Sequence, residues 1–152
     1  MNKDISQITT FESGVMQATA HRVLTRIMTD YLSQFGLTST QWYVIGHVSQ
    51  AGGDGIRLND LMHILDTTMP FITNTVNLLE SKGILQKVSS SDDSRVKIAR
   101  LSPNYKKRAE QIEEGLRDEL RQRLYREDNI NRDELSAYIT VLYKIAKSKD
   151  AV

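Results

Sequence analysis

A mostly α-helical protein with a small β-wing is the predicted fold class, on three observations. Between Leu58 and Leu101 two short helical patterns, a turn and a charged β-ribbon follow one another. A long amphipathic pattern precedes this stretch, and two more come after it. The central stretch has the outline of a winged helix-turn-helix, with helices from both termini left outside it.

The N-terminal pattern runs from Ile5 to Phe35, with Ile8, Phe11, Val15, Val23, Ile27, Tyr31 and Phe35 at three-to-four spacing. Gly14 marks a bend or a start within it, and Gly36 ends it. So long a stripe exceeds what one small lobe can cover, which predicts a partner subunit. Thr38-x-x-Gln41 is a capping box that opens the next helix, with Trp42, Ile45 and Val48 directed inward and Gly52-Gly53 as its stop. Ile56-Arg57-Leu58 is then a short strand completing the wing sheet.

The first helix of the central stretch is placed at Asn59 to Leu65, with Asn59 as N-cap and Leu61, Ile64 and Leu65 on its apolar face. The second begins at Thr67 or Thr68, holds Pro70 in its first turn where a missing N–H costs nothing, and ends at Gly83 after Lys82. Ile72, Val76 and Leu79 form its core stripe, leaving Thr68, Met69, Pro70, Thr73, Asn74 and Asn77 on or near an open side of short hydrogen-bonding groups. Beyond Gly83 the period becomes extended in Ile84 to Val88 and again in Val96 to Leu101. SSSDDSR between them suits an exposed hairpin tip that projects Arg95.

Ser102-Pro103 is an N-cap followed by proline, and Tyr105, Ala109, Ile112, Leu116, Leu120 and Leu124 stripe a helix to about Glu127. Asn131-x-x-Glu134 is a further capping box, opening a last helix with Leu135, Ile139, Leu142 and Ala146 on one side and Lys144, Lys147 and Lys149 near its end.

With 152 residues the chain reads as one domain, able to bury roughly 70% of its unfolded surface without staples. It has no cysteine, which excludes disulfides, thiolate metal sites and thiol-based oxidant sensing, and makes the cytoplasm the expected compartment. No apolar run approaches the roughly 20 residues of a membrane span, and no charged-then-apolar leader pattern opens the chain. Net charge is +1. From Gly55 to Leu101, Arg57, Lys82, Lys87, Arg95, Lys97 and Arg100 stand against Asp60, Asp66, Glu80, Asp92 and Asp93, so 6 − 5 gives +1 locally as well. Phosphate binding here rests on where the cations are gathered rather than on bulk basicity.

The run LNDLMHILDTTMPFITNTVNLLESKGIL resembles the two DNA-lobe helices of the MarR family of bacterial transcription regulators, and SDDSRVKIARLS resembles that family's wing. The family's Asp-x-Arg pattern falls on Asp93 and Arg95, which makes the wing the most specific part of the match. The resemblance implies one MarR-like domain over 1–152, with a winged helix-turn-helix lobe at 37–102 and dimerisation helices at 1–36 and 103–150. It implies a homodimer on double-stranded DNA with a palindromic operator, acting as a repressor released by a small aromatic acid. Thr68, Met69, Pro70, Thr73, Asn74 and Asn77 are then the residues of the recognition helix, facing the major groove, where asparagine pairs with adenine N6 and N7. Asp93, Ser94, Arg95 and Lys97 are those of the wing, with Arg95 entering a narrow minor groove. The sequence departs from the family in having no Lys or Arg between Arg57 and Lys82, which argues against guanine-directed recognition.

His21, His47 and His63 lie singly, without the spacing of a metal site, and no cofactor motif is present. His21, Trp42 and His47 are the candidate lining of an effector pocket, at the place where the family binds small aromatic acids. No nucleophile elbow, Walker loop or spaced carboxylate pair is visible, so no enzyme is expected. The alternative to a DNA-binding regulator is a winged-helix module that binds protein.

Overall fold

Side-chain capping sets where most of the helices of this computed structural model begin. The structure describes residues 4–149. The first helix, α1 (Thr10–Ser33), starts later than the apolar spacing suggests, because Thr9 and Glu12 close a capping box there and Ile5–Gln7 form a separate 3-10 turn. Gly14 lies inside the helix. Gly36, at φ +66°, turns the chain into α2 (Ser39–Gln50), whose Thr38–Gln41 capping box is formed. Ile45 and Val48 of α2 are fully buried, and Trp42 packs half-buried against them.

Strand β1 (Ile56–Arg57) runs without a break into α3 (Leu58–Ile64). Asn59 is therefore not the N-cap. Arg57 holds that position with no side-chain bond, and Leu58 is already helical because its side chain enters the core. Ile64, assigned to the apolar face, is exposed, and Leu61 carries the packing instead. The turn into α4 (Met69–Ser81) is made by Asp66 at φ 49°, a left-handed conformation that aspartate tolerates better than most residues. The Asp66 N–H bonds to the His63 carbonyl and the Thr67 N–H to that of Met62. Thr68 is the N-cap of α4, its hydroxyl accepting from the Phe71 N–H at 3.4 Å. Lys82 and Gly83 end the helix, and the Lys82 ammonium donates to the Gly36 carbonyl at 2.7 Å, tying α4 to the α1–α2 turn.

Strands β2 (Leu85–Ser89) and β3 (Lys97–Leu101) each begin one residue later than expected, and with β1 they form an antiparallel sheet of order β1-β3-β2. Leu85 pairs with Leu101 and Ser89 with Lys97, while Ile56 pairs with Ala99. One apolar cluster joins Leu32, Leu37, Val44, Ile45, Val48, Leu58, Leu61, Ile72, Val76, Leu79, Leu85, Ala99 and Ile112, so α4 is clamped along its Ile72–Val76–Leu79 stripe. Thr75 is buried with that stripe and satisfies its hydroxyl on the Phe71 carbonyl.

Ser102 does not cap the next helix through its side chain. It is buried, its N–H donates to the Ile84 carbonyl, and Pro103–Tyr105 make a 3-10 turn before α5 (Lys106–Arg123). The helix ends at Arg123 rather than near Glu127, and Arg126 then forms a two-pronged pair with Asp128. The chain divides after Ile112 into a larger unit and a smaller one beginning at Glu113. The smaller unit ends in α6 (Arg132–Lys147), opened by the Asn131–Glu134 capping box. On α6, Ile139, Leu142, Tyr143 and Ile145 are all exposed.

Candidate nucleic-acid interface

An amphipathic helix clamped on one stripe presents the opposite stripe to solvent. On α4 that stripe runs through Pro70, Asn74 and Asn77, all exposed, flanked by Met69 and Thr73, which are half-buried. Thr68 stands at the mouth of the helix, its hydroxyl oxygen engaged as the cap. Asn74, one turn beyond Pro70, and Asn77, the next position along the same face, thus supply its amide chemistry.

A cation reaches this face from outside the helix. Lys87 sits in the middle of β2, where period-2 alternation puts Leu85, Lys87 and Ser89 on one side of the sheet. Its pairing partner Ala99 is buried in the core, so Lys87 points to the same side as the core and runs along α4. Its ammonium donates to Asn77 Oδ1, and its backbone N–H donates to Glu80 Oε2 at 2.7 Å. A count of cations along the helix alone misses this one; the alternation starting from Leu85 is the signal in the sequence that could find it.

The wing tip is a small hydrogen-bonded turn. Val96 N–H bonds to the Asp93 carbonyl, Ser90 N–H to the Val96 carbonyl, and Asp92 N–H to Ser90 Oγ. Asp93 accepts three bonds from Arg95: the backbone N–H at 3.0 Å, and Nε and Nη2 at 3.1 Å each on its two oxygens. These bonds favour the charged carboxylate and hold the Asp93 pKa below its ordinary value, the Arg95 side chain contributing most and its backbone next. The Arg95 side chain itself is 89% exposed. It is an oriented cation on a stalk of backbone bonds. Ser94 is exposed beside it, and the Lys97 ammonium is held back on Ser89 Oγ and the Ser94 carbonyl.

The candidate effector residues are dispersed. His21 is exposed on α1, where it lines a depression with Arg22, Thr25, Arg26, Thr29 and Asp30. Trp42 and His47 lie on α2, partly buried, and neither lines that depression. Among the described residues no group of three or more His, Cys, Asp or Glu is placed to hold a metal ion, and no helix is long and apolar enough to cross a membrane.

The model of the MarR family matches residues 35–96, the segment that builds α2 to the wing. The multiple antibiotic resistance protein MarR of Salmonella typhimurium is 27% identical over 120 residues, covering 79% of this chain and 81% of that protein. The fold is similar to that of a mutant MarR from E. coli complexed with operator DNA, with a TM-score of 0.72 at 21% identity, covering 91% of this chain and 99% of that one. It is similar also to CouR from Rhodococcus jostii bound to p-coumaroyl-CoA, with a TM-score of 0.76 at 14% identity and coverage of 92% and 95%.

Proposed function

From the match of residues 35–96 to the MarR family model and the likeness to MarR of Salmonella typhimurium, we propose that this chain is a MarR-family transcription regulator, a homodimeric repressor that grips operator DNA with α4 in the major groove and the wing in the minor groove. The observation that carries this is the pairing, within one unit, of an exposed amide stripe on α4 with an Arg95 guanidinium held outward by Asp93. Major-groove edges offer patterned donors and acceptors to such amides, and narrow minor grooves concentrate negative potential for such a cation. A MarR structure complexed with operator DNA supports the same use of the fold.

Dimerisation rests on apolar surface that one chain leaves open. Phe11, Val15 and Val23 are exposed on α1 and, in the other unit, Ile139, Leu142 and Ile145 are exposed on α6, and clustered exposed apolar side chains mark interaction surfaces. The terminal helices, 1–36 and 103–150, are the proposed dimerisation elements and 37–102 the DNA lobe. Release by a small aromatic acid is part of the proposal; the p-coumaroyl-CoA complex of CouR, an aromatic acyl thioester, supports an aromatic ligand for the fold, and release requires that the ligand prefer one dimer geometry over the other. A protein-binding role has one observation in its favour: Phe71 and Leu78 are exposed on the flank of α4.

Two substitutions separate these readings. Arg95→Ala is expected to weaken all A·T-flanked sites alike and, for each phosphate it leaves without a cation in a subunit, to lower the salt slope by about 0.9. Asn74→Ala is expected to relax discrimination at one base position by about 1–3 kcal/mol with little change in salt slope. Binding isotherms on operator and random duplexes at several salt concentrations measure both. Variants that bind both duplexes like the parent transfer the case to the protein-binding reading.

A further inference from the structure

We infer that Lys87 is a specificity-determining residue: by holding the Asn77 carboxamide with its oxygen turned toward the sheet, it makes the centre of the α4 face read guanine instead of adenine. The inference rests on the proposed DNA-binding role of α4 and deepens it.

The geometry fixes the amide without ambiguity. An ammonium group has three donors and no acceptor, so the Asn77 atom that meets Lys87 Nζ must be the oxygen. The Asn77 Nδ2–H2 group is then turned away from Lys87. Two of the three ammonium protons remain beside it, because the bond to Asn77 takes one. Nδ2–H2 and the spare ammonium protons together present donors only.

A free asparagine pairs with adenine by offering one acceptor and one donor, its oxygen to N6–H2 and its nitrogen to N7. With Lys87 on the oxygen, the adenine amino group would have to approach an atom already covered by a cation and its remaining protons. Guanine has no such conflict. Its major-groove edge shows N7 and O6, both acceptors, and a donor-only pair meets both. The helix has no arginine or lysine of its own between Arg57 and Lys82. A lysine from β2, carried to α4 by strand alternation, takes over the role that such a residue on the helix would have.

The test is selection of the full-length protein on a random duplex library, followed by relative affinities for all four bases at each selected position. The parent is expected to show one position per half-site where guanine is preferred over adenine by roughly tenfold, the value of one good two-point base contact. Lys87→Met keeps the aliphatic stem but removes the donors, and is expected to shift that position, and no other, toward adenine. Lys87→Arg is expected to keep guanine. Asn77→Ala in the Lys87→Met background is expected to abolish the adenine preference.

A Lys87→Met profile identical to the parent at every position overturns the inference and leaves the DNA-binding reading intact. A parent that selects no sequence removes both. Should Lys87→Met fail to fold, Asn77→Asp gives an independent answer, since it replaces the outward N–H2 by an acceptor while strengthening the bond to Lys87. Loss of the guanine preference in Asn77→Asp supports the inference, and its retention overturns it.

Discussion

Gly55→Ala is expected to destabilise the larger unit by about 2–4 kcal/mol, combining the strain of a left-handed residue with overpacking in a site that has no room. Gly55 has φ +73° and closes the turn before β1, its N–H bonding to the Gly52 carbonyl at 3.1 Å. A Cβ built there lies 2.4 Å from the Ala99 carbonyl oxygen, with Ile98 and Arg100 side-chain atoms at 2.8 Å. The closest obstacle is backbone, and it is the backbone of the central strand. Relief therefore means parting β1 from β3, which loosens the base of the wing and the entry to α3. Gly53→Ala is the control, because Gly53 has ordinary φ and open space around its Cα. Urea denaturation of the two variants distinguishes them; equal midpoints would mean that β1 yields freely and does not brace the wing.

Ile139→Asp is expected to convert the proposed dimer to monomers and to reduce operator affinity by about 10²-fold or more, because two half-site interactions that the dimer would link become independent. Ile139 is 53% exposed on α6, with Leu142, Tyr143 and Ile145 exposed on the same helix. A charge at an exposed position leaves the fold of a single chain nearly untouched, but it places an unpaired carboxylate in the proposed interface, where apolar faces would meet. Light scattering gives the mass and a binding isotherm gives the affinity. A variant that remains dimeric would move the interface away from this face of α6.

Much of the architecture is legible in the sequence because its signals are local. The Thr38–Gln41 and Asn131–Glu134 capping boxes announce two helix starts, and the Ile72–Val76–Leu79 stripe announces the buried side of α4. Thr9–Glu12 is the same kind of motif, and it sets the start of α1 against the apolar spacing, which points to Ile5. The departures around α3 have a tertiary origin. Asn59 has the intrinsic preference of a cap, but the core draws in Leu58, and the strand pairing of Arg57 leaves no residue between sheet and helix for an asparagine to serve. Ser102 fails as a cap for a related reason: its backbone is bonded to Ile84 and its side chain is buried. The polar face of α4 and the wing tip follow from composition and spacing. The bond between Lys87 and Asn77 does not, since it depends on the register of β2 against β3 and on the packing of the sheet beneath the helix.

The central claim is that α4 and the wing of two chains read one operator. A hydroxyl-radical and dimethyl-sulfate footprint of the full-length protein on the DNA upstream of its own gene tests it most directly. The account predicts two protected major-groove tracts related by two-fold symmetry and about 34 Å or a multiple of that apart, each bordered by minor-groove protection that Arg95→Ala removes. Uniform protection indistinguishable from that on random DNA, or none at protein concentrations where the dimer is formed, would contradict it.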